Sequence, residues 1–161
     1  MSEQPITSSV NSPRFGVSTT VYDHAGGQSF FDELVDRFYR RVADDPVLLR
    51  LYPDQVDLGP ARERLALFLG QYWGGPQTYS ELRGHPRLRM RHQPYVIGPA
   101  ERDHWLAAMD IALHEMTSDP LILERMTNYF EMSAEAMRNC DMSQRNSDTS
   151  GATPLEEPDD A

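Results

Sequence analysis

The chain has 161 residues, a formal net charge of −10 at pH 7 and a single cysteine, Cys140. This length suits one domain with a sizeable core. A lone cysteine excludes an internal disulfide, and with it the small secreted scaffolds that depend on such bridges. The acidic balance repels polyphosphate and argues against general nucleic-acid binding. All 15 cationic side chains are arginine, because the chain contains no lysine.

The distribution of apolar residues also bears on where the protein resides. The longest apolar run, residues 65–69, is far shorter than the ~20 residues that cross a bilayer. The first residues lack the basic segment followed by an apolar segment that marks a secretory signal. The sequence therefore predicts a cytoplasmic protein without a membrane span.

Both ends of the chain differ in composition from its middle. Residues 1–20 are polar and rich in serine and threonine, and residues 141–161 contain six acidic side chains and one arginine. Neither segment carries enough apolar surface to offset the entropy lost on ordering. We therefore expect a disordered N-terminal extension (1–20), one folded domain (21–140) and a disordered acidic tail (141–161). The tail's charge of −5 is half of the total.

Within the folded region, apolar residues recur at intervals of three and four, which indicates helices. Ser29 is the predicted N-cap of the first long helix, and Tyr39 lies on the rim of its apolar stripe. The stripe consists of Phe31, Leu34, Val35, Phe38 and Val42. Asp45 followed by Pro46 predicts a capped short helix directly after it.

A second long helix is predicted to begin at Pro60, with Ala61 and Leu65 on its apolar face, and to end before Gly74. Residues 77–98 have weak periodicity and are expected to form an irregular loop with one or two helical turns. This segment therefore separates the second long helix from the third.

The third long helix is predicted to start near Pro99 and to carry Trp105 on its apolar stripe. Asp119 and Pro120 interrupt the pattern and cap a last helix, whose apolar stripe includes Met126 and Phe130. No alternating strand pattern occurs, so the predicted class is all-α with four substantial helices.

One of the five histidines, His92, has a distinctive position. It ends a short helical segment just before Gln93 and Pro94, where the proline stops the helix. A single histidine at a helix end beside an apolar cavity is one way in which proteins hold haem iron. By spacing alone, a surface histidine is the default interpretation. The five histidines form no spacing typical of a zinc site.

The cationic and polar aromatic residues allow two interpretations each. Four arginines between residues 83 and 91 form either a solvated loop face or an anion-binding group, since a guanidinium binds two oxygens at once. Arg64 lies at the edge of the second apolar stripe, where its head can reach an anion. Tyr39, Tyr52 and Trp105 are either core residues or hydrogen-bond donors that converge on a ligand.

Two blocks of sequence decide between these alternatives. Residues 72–76 (YWGGP) and residues 83–92 (RGHPRLRMRH) resemble the group II truncated haemoglobins, in their actinobacterial O-type branch. The similarity extends from about Tyr22 to Met137 and includes the segments RFY at 37–39, LYP at 51–53 and ERDHWL at 101–106. Both predicted tails fall outside it.

The resemblance implies a shortened globin, in which a 2-over-2 helical sandwich surrounds one b-type haem. It places the proximal iron ligand at His92 and the residues that stabilise a bound ligand at Tyr39, Tyr52 and Trp105. The remaining matched positions are Ala61 and Leu65, which would line the distal pocket, and Arg64 and Arg91, which would bind the haem propionates.

The function implied by this resemblance is the binding of O2 and other diatomic ligands at a five-coordinate iron, with slow O2 release, as in oxygen storage or transport. Two strong donors to a charged acceptor, each worth roughly 1.5–3 kcal/mol, would slow release by orders of magnitude.

The alternative is a haem enzyme that dioxygenates NO or uses peroxide. That alternative requires an external reductase, because no flavin or nicotinamide motif is present. A helical interaction module without a cofactor is a third hypothesis. Because group II truncated haemoglobins are often dimers, the resemblance also suggests a homodimer, although the sequence shows no interface pattern.

Overall fold

The computed structural model describes residues 19–140, and the predictions for residues 1–18 and 141–161 lie outside the described residues. The described part contains eight helices and no strand. The helices are α1 (Val21–Ala25), α2 (Gln28–Asp44), α3 (Pro46–Leu49), α4 (Gly59–Tyr72), α5 (Thr78–Arg83), α6 (Leu88–His92), α7 (Pro99–Met116) and α8 (Pro120–Met137). The four long ones are those predicted from the apolar periodicity.

Two predicted aspartate caps are confirmed. The Asp45 carboxylate accepts a hydrogen bond from the Val47 N–H at 2.9 Å at the start of α3. Asp119 accepts one from the Leu121 N–H at 2.9 Å at the start of α8. Each carboxylate satisfies a backbone donor that has no partner inside the helix. These caps fix where the two helices begin.

The predicted N-cap of α2 is wrong. The helix begins at Gln28 and its N-cap is Gly27, whose φ of 80° turns the chain before Ser29 is reached. Ser29 lies inside the first turn, and its hydroxyl donates to the Gly26 carbonyl at 3.3 Å. The two glycines, which tolerate positive φ, determine the start of the helix instead of the serine side chain.

The long helices form two layers. Helix α2 packs against α4 and α7, and α7 packs against α8. Helix α2 contributes the largest share of the core, and five of its side chains have no accessible surface: Phe31, Leu34, Val35, Phe38 and Val42. Burial of each such side chain contributes roughly 1.5–3 kcal/mol, so α2 is the centre around which the domain is organised.

Helix α1 is not indicated by the sequence pattern. This five-residue helix is capped by the Thr20 side chain, and its Tyr22 ring stacks on Phe31 with centroids 5.8 Å apart. The Tyr22 N–H donates to the Trp73 carbonyl at 3.0 Å. A Cβ atom on Gly75 would lie 2.4 Å from the Tyr22 ring, so only glycine fits there. Helix α1 therefore packs against the C-terminal end of α4 and is hydrogen-bonded to it.

Residues 77–98 form the irregular connection that was expected, with α5 and α6 as its helical turns. Helix α6 contains no buried residue and has no side-chain cap. Between residues 19 and 140, no helix is long and apolar enough to cross a membrane.

Candidate functional site

A cavity of about 550 Å³ opens between α2, α4, α6, α7 and α8. This volume is in the range of small-molecule and cofactor sites. All eight site residues predicted from the sequence line the cavity: Tyr39, Tyr52, Ala61, Arg64, Leu65, Arg91, His92 and Trp105. The fold thus brings together residues that are up to 66 positions apart, from Tyr39 to Trp105.

Three of these residues, Tyr39, Tyr52 and Trp105, form what we term the aromatic wall. The Tyr39 and Tyr52 rings meet edge to face with centroids 5.5 Å apart. The Trp105 ring packs against Phe38, 5.2 Å away. Tyr39, predicted at the rim of the α2 apolar stripe, is buried. Its side chain is 4% exposed, because Phe38 and Tyr52 pack against its ring.

The two tyrosines of the aromatic wall remain protonated at neutral pH. Burial raises the pKa of Tyr39, although the Tyr52 hydroxyl and the Arg64 charge partly oppose the shift. Burial also raises the pKa of Tyr52 well above its ordinary value, and Tyr39 adds to the effect. Tyr52 retains accessible surface because it faces the cavity, while the surrounding protein desolvates its hydroxyl. Both residues are therefore neutral hydroxyl donors.

The third member of the aromatic wall contributes an indole N–H. Among the residues that the structure describes, no acceptor is hydrogen-bonded to the Trp105 nitrogen. Its ring is held between Phe38 and Phe130, with centroid distances of 5.2 and 5.6 Å. A fixed ring with an available N–H is suited to donate to a ligand in the cavity.

His92 lies at the C-terminal end of α6, and we term α6 with the following residues 93–97 the histidine wall. The His92 Nδ1 atom lies 2.6 Å from the Leu88 carbonyl oxygen. A carbonyl oxygen can only accept, so Nδ1 carries the proton and Nε2 of the neutral ring is the unprotonated nitrogen. The same second-shell arrangement orients histidines that bind metals. Of the histidines at residues 19–140, His92 alone lines the cavity.

Three arginines line the cavity without a carboxylate partner in the described part of the chain: Arg64, Arg83 and Arg91. The Arg91 Nη2 atom donates to the Arg83 carbonyl at 3.1 Å, and its Nε is buried without a partner. By contrast, Arg102 at the same cavity is paired with Asp103 and Glu135. The three unpaired guanidinium groups fit a ligand that carries negative charge.

Helices α4 and α8 contribute much of the apolar lining of the cavity, and α8 does so through Phe130, Ala134 and Met137. Ala61 and Leu65 lie one turn apart, and Phe68 and Leu69 continue the same surface. The small Ala61 side chain leaves space beside the aromatic wall and offers no polar atom there. A flat, largely apolar ligand with a charged edge would match this surface and the unpaired arginines.

Sequence reasoning missed two groups at the site. Arg83 belongs to the arginine run that had been noted for anion binding, but it was not assigned to the cavity. Glu101 is 2% exposed at the start of α7, where it binds Arg50 and accepts from the Gly98 N–H at 3.0 Å. Its position three residues after the N-cap was the available signal, because a glutamate there closes a capping box.

Three of the other four histidines lie on the surface and bond to acceptors there. His104 contacts Asp45 at 2.7 Å, and His114 contacts the Asp110 carbonyl at 2.9 Å. Both side chains are exposed. His24 contacts Asp119 at 2.7 Å and links α1 to the start of α8. These three histidines are therefore remote from the cavity chemistry.

Comparison with known proteins places this geometry in a family. The model of the family described as bacterial-like globin matches residues 20–139. The chain belongs to this family. It is 38% identical over 113 residues to the group 2 truncated haemoglobin YjbI of Bacillus subtilis, a match that covers 70% of this chain and 84% of the relative.

Solved structures give the same result. A thermostable haemoglobin from the actinobacterium Thermobifida fusca is 53% identical, with a TM-score of 0.72 over 74% of this chain and 97% of that one. A truncated oxygen-avid haemoglobin from Bacillus subtilis is 37% identical, with a TM-score of 0.70 over 74% of this chain and 99% of that one. The chain is thus an all-α group II truncated haemoglobin of the 2-on-2 type, from the actinobacterial branch.

The family binds haem and small diatomic ligands, and the residues present fit that cofactor. Haem needs an apolar slot, an unprotonated nitrogen for its iron and cations for its propionates. Ala61 and Leu65 are apolar residues that line the cavity, His92 has its Nδ1 bonded to the Leu88 carbonyl, and Arg64 and Arg91 lack carboxylate partners among residues 19–140. The buried Arg91 Nε has no hydrogen-bond partner among residues 19–140.

Proposed function

We propose that this truncated haemoglobin binds haem b through His92 alone, leaves the sixth iron position open to O2, and releases O2 slowly. The observation that carries the proposal is the His92 Nδ1 bond to the Leu88 carbonyl, in a cavity whose other side is the aromatic wall. That bond leaves Nε2 as the basic nitrogen. The small Ala61 provides no second nitrogen ligand.

Arg64 and Arg91 are proposed to hold the two propionates. Both line the cavity and lack carboxylate partners among residues 19–140, and their planar groups suit a carboxylate acceptor. The charge of Arg64 also acts on both tyrosine hydroxyls, which places it on the side of the aromatic wall. The two arginines would thereby fix the orientation of the cofactor in its plane.

When haem is bound, its iron supplies the open coordination position and shifts electron density onto the diatomic ligand. The Trp105 N–H and the Tyr52 O–H are the proposed donors to that charge, and Tyr39 orients Tyr52. Each hydrogen bond to a charged acceptor contributes roughly 1.5–3 kcal/mol, and 1.4 kcal/mol is a tenfold change in a rate. Two donors therefore account for slow release.

This release behaviour favours O2 retention or storage over rapid delivery. The related Bacillus subtilis haemoglobin is described as oxygen-avid, and this supports O2 retention. Burial in an aromatic environment further strengthens the donors, because water cannot compete for the ligand.

Titration with haemin tests the first part of the proposal. We expect an intense Soret band that saturates at one haem per chain, and a five-coordinate spectrum after reduction. Stopped-flow mixing of the oxygenated protein with excess CO then measures O2 dissociation. A protein that rejects haemin, or one that releases O2 as fast as an unassisted haem, would overturn the proposal.

A second measurement distinguishes O2 binding from the alternative enzyme functions, NO dioxygenation and peroxide reduction. The oxygenated protein is mixed with repeated additions of NO in the presence of an external reductant. We expect one stoichiometric burst per bound O2, as for a binding protein. Sustained turnover would assign the enzyme function instead.

A further inference from the structure

The side chain of Asn139 forms hydrogen bonds to three backbone groups beyond the end of α6. Its Nδ2 atom donates to the carbonyl of His92 at 3.2 Å and to that of Tyr95 at 2.6 Å. Its Oδ1 atom accepts from the Ile97 N–H at 2.9 Å. The bonded residues precede Asn139 by 42 to 47 positions, so the contact joins the end of α8 to the histidine wall.

The partners determine the orientation of the amide. Carbonyl oxygens only accept and a backbone N–H only donates, so Nδ2 must face His92 and Tyr95 and Oδ1 must face Ile97. Both amide protons are thereby used. The backbone adds two more bonds, from the Asn139 and Cys140 N–H groups to the Ile97 carbonyl at 2.9 and 3.3 Å. We term these five bonds the asparagine clasp.

Besides the clasp, the histidine wall is held by the buried Ile97 side chain, by Leu88 against the core and by the Arg91 bond to the Arg83 carbonyl. Helix α6 has five residues, none of them buried, and its N-cap Arg87 adopts a left-handed conformation without a side-chain cap. The His92 carbonyl also accepts from the Tyr95 N–H at 3.1 Å, a bond within the same wall. The asparagine clasp is therefore the polar connection from the His92 backbone to a long helix. That helix, α8, lines the cavity through Phe130 and Ala134.

We propose that Asn139 is a positioning residue for the iron ligand: its amide fixes the backbone of His92 relative to α8, and so sets the strain and strength of the iron–histidine bond. The inference rests on the proposed haem ligation by His92. It adds that the ligand's position is controlled from the far end of the chain, by a residue that does not touch the cofactor.

Two substitutions of Asn139 test this role in the haem-loaded protein. Asn139→Asp keeps an acceptor for the Ile97 N–H but cannot donate to His92 and Tyr95 when ionised, and Asn139→Ala removes all three side-chain bonds. The iron–histidine stretching band of the reduced protein is measured by resonance Raman spectroscopy. We expect the band to shift and broaden in both variants. Haem transfer to a haem-free acceptor globin should become about tenfold faster, as expected for the loss of one to two hydrogen bonds.

The matched control is His24→Ala. It also breaks one long-range polar contact to α8, the 2.7 Å bond to Asp119, but far from the histidine wall. This variant should lower the melting temperature and leave the Raman band unchanged. If the Asn139 variants behave in the same way, Asn139 only stabilises the fold and the inference is overturned. A missing iron–histidine band in the unsubstituted protein would instead refute ligation by His92, and the inference with it.

Discussion

The two walls of the cavity are built in different ways. The aromatic wall projects from α2 and α7, of 17 and 18 residues, and from the turn after α3, and its rings pack among core side chains. The histidine wall consists of a five-residue helix without buried residues and the following residues 93–97, of which Ile97 is buried, and bonds between polar groups connect it to the rest of the domain. Packing thus fixes the rings of the aromatic wall, whereas hydrogen bonds hold His92. Changes at the first wall should perturb stability, and changes at the second should largely spare it.

The largest expected effect is that of His92→Ala on the histidine wall. The variant loses the proposed iron ligand and the Nδ1 bond to Leu88, so the iron–histidine band should disappear and haem affinity should fall by orders of magnitude. The melting temperature of the haem-free protein should change little, since α6 buries no side chain. Added imidazole should restore the five-coordinate spectrum. An unchanged reduced spectrum would disprove the ligand assignment.

The next effect is that of Trp105→Phe on the aromatic wall. Phenylalanine keeps ring contacts to Phe38 and Phe130 but has no N–H, so O2 dissociation should accelerate by about ten- to hundredfold. Trp73→Phe is the matched control. It also removes an indole N–H that lacks a partner, but Trp73 does not line the cavity. Equal O2 dissociation rates for these two variants would show that Trp105 only packs.

The tyrosine pair should show coupling. We expect Tyr52→Phe to accelerate O2 dissociation about tenfold and Tyr39→Phe to have a smaller effect. The double variant should resemble Tyr52→Phe alone, because Tyr39 is proposed to act through Tyr52. The O2 dissociation rates of the unsubstituted protein, the two single variants and the double variant, measured by stopped flow, complete this double-mutant cycle. Strictly additive effects would mean that each hydroxyl acts independently on the ligand.

A smaller effect is expected for Arg91→Gln. The substitution removes the cation beside the cavity and should speed haem loss a few-fold, since a partly exposed ion pair contributes at most about 1 kcal/mol. Arg89→Gln is the control, because Arg89 belongs to the same arginine run but does not line the cavity. If both variants lose haem at the same rate, the propionate assignment of Arg91 is wrong.

The smallest effect concerns acid stability, far from either wall. The His24 bond and the Leu121 N–H lower the pKa of Asp119. A carboxylate with a depressed pKa in the folded state contributes stability above its unfolded pKa of about 4 and loses it as pH falls further. Asp119→Asn keeps a helix cap but cannot titrate, so its unfolding free energy should fall less steeply below about pH 4. Denaturant titrations across that pH range measure how the unfolding free energy depends on pH. Parallel curves for the variant and the unsubstituted protein would contradict the prediction.

The difference between the walls also explains how far the sequence could predict the structure. Periodicity located α2, α7 and α8, because packed helices repeat apolar residues, and local capping chemistry located Asp45 and Asp119. The site residues came from the family resemblance, which carries the three-dimensional arrangement with it.

Features that depend on distant partners were not predictable. The burial of Tyr39 involves the ring of Tyr52, which lies 13 positions further along the chain. The role of Asn139 requires groups more than 40 positions away. No local pattern reports such contacts, because they exist only after the chain has folded.

The attachment of α1 to the end of α4 has a consequence for the order of events during synthesis. Tyr22 leaves the ribosome early, but the carbonyl of Trp73 and the bare backbone of Gly75 against which it packs are made some 50 residues later. A five-residue helix is too short to persist alone in water. Helix α1 can therefore dock only after α4 and the residues that follow it have been synthesised.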